Sequence, residues 1–158
     1  MAEVPDLARA LGRVPSGLFV LTTGEGESLT GSLVSLVQQV GFQPLTVSVA
    51  IARGRPVETV LRNHGRFCLA VIGESSRPLL AHFAKGFAPG ELPFDGIETV
   101  ISAVDVPYPK AADAHLACKI IGEATWTDHV LFCGEVVGGA CNGDEQPLVH
   151  LRKDGRSY

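Results

Sequence analysis

Between Leu29 and Ala52 the chain reads LTGSLVSLVQQVGFQPLTVSVAIA. It opens on small hydroxyl-bearing residues, Thr30, Ser32 and Ser35, passes Gln38 and Gln39, and reaches Gly41-Phe42-Gln43-Pro44. From Leu45 to Ala52 the residues are almost all apolar or β-branched. A short run of this kind reads as a strand covered on both faces. Thr30–Ser35 then reads as a preceding strand, with the glutamines in a polar bend between the two.

The flanking sequence supplies more of the same. Asp6–Leu11 suits a short helix with Asp6 as N-cap, stopped by Gly12. Leu18–Thr23 is a strand candidate, and Gly24–Ser28 a hairpin turn whose Gly-x-Gly lacks the third glycine of a dinucleotide loop. Pro56 at a first helical position and Gly65 beyond the last bracket a helix carrying Val57, Val60 and Leu61 on one face. Phe67–Ile72 reads as a strand, Pro78–Phe83 as a helix closed by Lys85-Gly86, and Ala88–Asp95 as a Pro/Gly-rich loop. Pro107-Tyr108-Pro109 reads as irregular. Ala114–Thr127 alternates as a long strand, with Leu116, Cys118 and Ile120 on one face, and Val130–Val137 is its hairpin partner. A polar turn at Asn142–Gln146 leads to a last short strand, Pro147–Leu151. Many strands with few helices, and no regular βαβ alternation, point to a mainly β fold, a small barrel with short flanking helices. A closed sheet also removes the edges such apolar strands would expose.

The chain has 158 residues, 46% of them hydrophobic and 19% charged, so one globular domain spanning 1–158 is expected. A formal charge of −4 with scattered Lys and Arg argues against nucleic acid. No apolar run approaches the roughly 20 residues that cross a bilayer, and Met1–Asp6 lacks the basic and apolar regions of a leader, so no membrane and a cytoplasmic location are expected. Cys68, Cys118, Cys133 and Cys141 lie in or beside apolar runs, as reduced, core-packed thiols do.

No nucleophile elbow, zinc-protease helix, phosphate loop or paired CxxC is present. His115 and Cys118 have a ligand-like spacing but stand alone, so no metal is expected. What remains suits a cofactor. Ser32 and Ser35, with the amides of Leu33 and Val34, offer donors to a ring and its sugar chain. Arg53 and Arg55, before the helix at Pro56, offer charge to a phosphate. The alternative is that the serines shape a bulged barrel corner and the arginines are solvated.

Several segments resemble one family in order. They are Val14–Thr23; Ser32–Pro44; Ala50–Leu61 (AIARGRPVETVL); Gly65-Arg66-Phe67 with His82-Phe83; and Cys118, Asp128-His129 and Phe132–Val136. Pro147–Gly155 with Tyr158 completes the set. Together they are similar to the flavin reductase-like proteins of the FMN-binding split β-barrel, including the short modules fused to flavodiiron proteins. The resemblance implies a homodimer with flavin near the interface, FMN or alternatively FAD as cofactor, and hydride transfer from NAD(P)H to flavin N5. It implies flavin contacts from Ser32, Leu33, Val34, Ser35, Gln38, Gln39, Arg53, Arg55 and Tyr158, with His129 as the catalytic candidate. For His129 a plain hairpin-turn role, and for Tyr158 a frayed end, are the alternatives. Val34, Val57, Ala70 and Thr127 depart from the family pattern, which implies a thinner polar lining and flavin held more as substrate than as fixed group, or a degenerate site. A monooxygenase or another redox protein is the implied electron partner. An electron-transfer flavoprotein fed by a protein partner, or a non-catalytic split-barrel binding protein, are the rival readings.

Overall fold

The computed structural model describes residues 5–158; the leader reading of Met1–Val4 lies outside the described residues. In chain order the elements are α1 (Asp6–Gly12), β1 (Ser16–Gly17), β2 (Phe19–Thr23), β3 (Thr30–Val34), β4 (Val37–Phe42), β5 (Leu45–Ala52) and α2 (Pro56–His64). There follow β6 (Arg66–Val71), α3 (Pro78–Ala84), β7 (Thr99–Ile101), β8 (Pro107–Pro109), β9 (Ala114–Thr125), β10 (His129–Cys141) and β11 (Val149–His150). Among the described residues no helix is long and apolar enough to cross a membrane.

Seven strands form one antiparallel sheet in the order β3-β2-β6-β9-β10-β5-β4. Its two edge strands, β3 and β4, are neighbours in the chain, joined only by Ser35 and Leu36. A joint that short forces the two edges together, so the sheet curls into a barrel that meets itself at the Ser35–Leu36 corner. The corner is held by Val37 N donating to Ser35 O and Ala50 N donating to Leu36 O, at 2.9 and 3.0 Å. β4 pairs with β5 only from Val49 down to Leu45, so Ala50–Ala52 of β5 have no β4 partner. The seam between β3 and this upper part of β5 therefore stays open.

Inside the barrel lie Leu21, Val34, Val47, Val49, Ile51, Phe67, Leu69, Cys118, Val130 and Phe132. Val57 and Leu61 of α2 join them, one helical turn apart on one face, so α2 plugs the barrel. Pro56 starts that helix and Gly65 ends it in the left-handed region at φ 72°. Gly134 allows Phe67 to fill the interior: a Cβ on Gly134 would stand 2.6 Å from the Phe67 ring. A second core forms on the outer face of β2, β6 and β9, where Leu79 and Phe83 of α3 cover Val20, Ala70 and Ala117.

Mainly β barrel architecture was the expectation, and it is what the chain adopts. Four local readings are corrected. Gln38 and Gln39 lie in an edge strand, not a bend, because β4 needs pairing on only one side and its outer surface tolerates polar residues. Pro107–Pro109 is strand after all: β8 pairs only with β7, through Val100 opposite Tyr108, so the flanking prolines take edge positions. Asp6 is the first helical residue and Pro5 the N-cap; the Asp6 carboxylate meets Arg9 at 3.3 Å instead of capping. Of the four free cysteines only Cys68 and Cys118 are buried, whereas Cys141 at the end of β10 is exposed.

Candidate functional site

The open seam is a slot of about 230 Å³. Its walls are Leu33 and Val34 of β3, Ala50, Ile51 and Ala52 of β5, Leu18 before β2 and Phe83 of α3. Polar groups enter it from Ser32, Ser35, Arg55, His150 and Tyr158. Ser32 and Ser35 are 8% and 5% exposed, yet their hydroxyls are nearly unspent. Ser32 Oγ makes one long contact, 3.5 Å to Leu33 O, and Ser35 Oγ has no partner among the described residues. β3 is also a free sheet edge here, so part of its backbone N–H and C=O groups face the slot rather than a neighbouring strand.

Arg55 stands at the N-cap of α2, and its guanidinium has no carboxylate partner among the described residues. Beside it Gly54 N donates to Glu58 Oε2 at 2.7 Å, and Arg62 reaches Glu58 Oε1 at 3.1 Å. The Gly54 bond, aided by Arg62, holds the Glu58 carboxyl below its ordinary range. Ser32 and Arg55 also line a second cavity of about 1100 Å³, which extends the slot toward α3 and the loop beyond it.

At the mouth, the Tyr158 hydroxyl meets His129 Nε2 at 2.6 Å, and His129 Nδ1 meets Asp128 Oδ1 at 2.9 Å. The bond to His129 holds the Asp128 carboxyl below its usual range. In the tautomer that carries its proton on Nδ1, facing the Asp128 carboxylate, Nε2 is the acceptor for the Tyr158 hydroxyl. Burial pushes the Tyr158 hydroxyl up, with Asp128 adding to the rise and Arg55 and Arg152 opposing it. The tail reaches this point because β11 pairs with β1 and Gly155 N donates to Ala8 O at 2.7 Å.

Of the residues singled out in the sequence, Ser32, Leu33, Val34, Ser35, Arg55 and Tyr158 thus converge on the slot, and His129 touches it through Tyr158. Gln38 and Gln39 do not: their amides bond back to Gln39 O and Gly41 O on exposed β4. Arg53 lines a separate shallow depression with Gly54, Glu58 and Asp128. His115 and Cys118 face opposite sides of β9, His115 stacked on Tyr108 at 3.9 Å and Cys118 inside the barrel. His150 was missed, because only the long-range pairing of β11 with β1 brings it to the slot.

Residues 11–158 match the profile of the flavin reductase like domain. The chain belongs to that family. This flavin reductase like chain is 32% identical over 155 residues, 97% of its length, to a diflavin flavoprotein A 1 of Synechocystis sp.. It spans about a quarter of the curated relatives it matches, 27% of that one. Among solved structures it is similar to the NADH:FAD oxidoreductase SgcE6 of Streptomyces globisporus, with TM-score 0.84 and 25% identity, covering 94% of this chain and 87% of that one. It is also similar to the styrene monooxygenase flavin reductase of Pseudomonas putida, with TM-score 0.77 and 26% identity, covering 94% and 92%. As a member, the chain is an oxidoreductase of the flavin reductase type.

Proposed function

We propose that the chain binds FMN in the seam slot and reduces it with NADH or NADPH, FAD being the alternative flavin. The observation that carries this reading is the pair Ser32 and Ser35, largely buried residues whose hydroxyls line the slot almost without partners, beside an open strand edge. Hydroxyls and strand-edge amides that open on a slot are free to bond its occupant, and a flat heteroaromatic ring with carbonyl and N–H groups on its rim satisfies such a set. Apolar walls from Leu18, Ala50, Ala52 and Phe83 suit the rest of the ring. The slot alone is below the roughly 300–1,000 Å³ of ordinary cofactor clefts, and the cavity that shares Ser32 and Arg55 provides the remaining room. Arg55, uncommitted and at the N-terminus of α2, fits the ribityl phosphate.

Of the departures from the family pattern, only Val34 lines this slot. Val57 packs inside the barrel and Ala70 in the second core, and Val34 contributes its side chain to the barrel interior. Thr127 Oγ1 accepts from the His129 amide at 3.4 Å.

A bound flavin supplies the hydride acceptor. The chain's own share is placement: β3 and β5 fix one plane, and the apolar walls exclude water from it. His129, backed by Asp128 at Nδ1, turns Nε2 to the Tyr158 hydroxyl, which lines the slot. The test is an absorbance spectrum after mixing with FMN and desalting, followed by anaerobic addition of NADH or NADPH. Retained bands that bleach support the reading. Bands that resist both nucleotides but yield to a reduced ferredoxin would move it to a partner-fed flavoprotein, and the absence of both binding and flavin-dependent NAD(P)H oxidation refutes it.

A homodimer and a monooxygenase or other redox partner are proposed with it. Exposed Val40, Phe42 and Leu45 on the β4–β5 hairpin, beside an open sheet edge, support a second copy docking there. Light scattering on Phe42→Glu should read a monomer; an unchanged dimer would exclude that hairpin.

A further inference from the structure

The large cavity that continues the slot is closed on its far side by the loop after α3, and this wall is a built one. His82 Nε2 bonds Pro93 O at 2.8 Å, tying α3 to the loop. Phe83 packs edge-on against both Phe87 and Phe94, each at 5.7 Å between ring centres. Ala88 N donates to Glu91 Oε2 at 2.7 Å, closing a turn inside the loop.

The charges on this wall are distinctive. Lys85 lies over the Phe87 ring at 5.1 Å, and no carboxylate pairs with it among the described residues. Glu91 spends one oxygen on Ala88 N and keeps the other, while the Asp95 carboxylate has no partner among the described residues. The cavity thus offers Arg55, which it shares with the slot, Lys85, and two carboxylates with unspent acceptor oxygens. With Arg55 assigned to the flavin phosphate, Lys85 is the cation left for the diphosphate of a nicotinamide dinucleotide. In the same cavity a ribose with free 2′ and 3′ hydroxyls finds acceptors in Glu91 and Asp95. A ribose carrying a 2′-phosphate, which adds about 1.5 to 2 negative charges, finds only like charge.

We propose that Glu91 and Asp95 select the hydride donor: they accept the adenosine-side ribose hydroxyls of NADH and reject the 2′-phosphate of NADPH. This rests on the flavin reductase reading of the slot. Discrimination comes from a hydrogen bond gained with one donor and an unpaired like-charge contact with the other. Neither carboxylate is buried, so the selection weakens as salt screens it.

The test has two arms, both on the whole chain. In the first, FMN-loaded protein is reduced anaerobically by NADH and by NADPH at low salt. The kcat/KM ratio is expected to favour NADH by about tenfold or more, and to fall as salt rises. Glu91→Gln with Asp95→Arg is expected to shift that ratio toward NADPH by about tenfold, and Asp95→Asn to shift it part-way. NADPH used equally or better by the unaltered protein overturns the proposal, as does a ratio the double variant leaves unmoved. In the second arm, calorimetry compares 5′-AMP with 2′,5′-ADP. If neither dinucleotide reduces the flavin, the reductase reading fails, and this arm still decides about the wall. A preference for 5′-AMP that the double variant abolishes supports it, and binding of neither, or of both alike, overturns it.

Discussion

Replacing Arg55 by alanine should weaken FMN and leave riboflavin nearly untouched. Arg55 has no carboxylate partner among the described residues, so its removal orphans no buried charge in the free protein. The loss then comes from the phosphate contact alone. A hydrogen bond to a charged group is worth about 1.5–3 kcal/mol. The Arg55 position is exposed and the α2 N-terminus remains, so the lower half of that range applies, about 1.5–2 kcal/mol. At 1.4 kcal/mol per decade this is a ten- to thirtyfold rise, roughly, in the Kd for FMN. Fluorescence quenching titrations of FMN and riboflavin, each against the parent and Arg55→Ala, make a four-cornered cycle. Riboflavin lacks the phosphate, so its Kd is expected to move by less than about twofold, a few tenths of a kcal/mol. Raising salt should narrow the FMN gap. Equal losses for both ligands would refute the phosphate assignment and make Arg55 a wall of the ring slot. No loss for either would send the phosphate to Lys85 or Arg53.

Four other outcomes are expected. Ser35→Trp fills the slot from its base and should abolish flavin retention while circular dichroism stays that of the parent; full occupancy would move the site elsewhere. His129→Ala should slow flavin reduction more than it weakens flavin binding, and an unchanged rate under stopped flow would leave His129 as a turn residue. Glu58 has a folded pKa below its ordinary 4.5, so its contribution to stability is complete above that value and is lost as pH falls below it. Glu58→Gln should therefore flatten the acid limb of the melting-temperature profile below about pH 4.5, and parallel profiles would refute the linkage. Burial pushes the thiols of Cys68 and Cys118 up to about 12, so iodoacetamide on the native protein should label Cys141 ahead of both. Peptide mapping that found Cys68 or Cys118 modified first would refute their burial.

Much of the barrel could be read from local signals. β5 announces itself by apolar content, and α2 by Pro56 and Gly65, because those residues act on their own backbone. β4 and β8 were hidden because an edge strand needs partners on one side only, which frees its composition. At the site, the Ser32–Ser35 segment and Arg55 were legible as donors without takers. His150 was not, since its place depends on two short strands, β1 and β11, that meet from opposite ends of the chain. Gln38 and Gln39 stood close to the serines in sequence, and the turn at Ser35–Leu36 carries them out along the free edge instead.

That same corner has a consequence for how the molecule yields. Across the seam the barrel is held by covalent chain and by hydrogen bonds at Ser35–Leu36, and no ladder joins β3 to the upper part of β5. Widening the gap therefore bends a hinge without breaking a single strand pair. An occupant of the seam thus meets no strand pair that has to part.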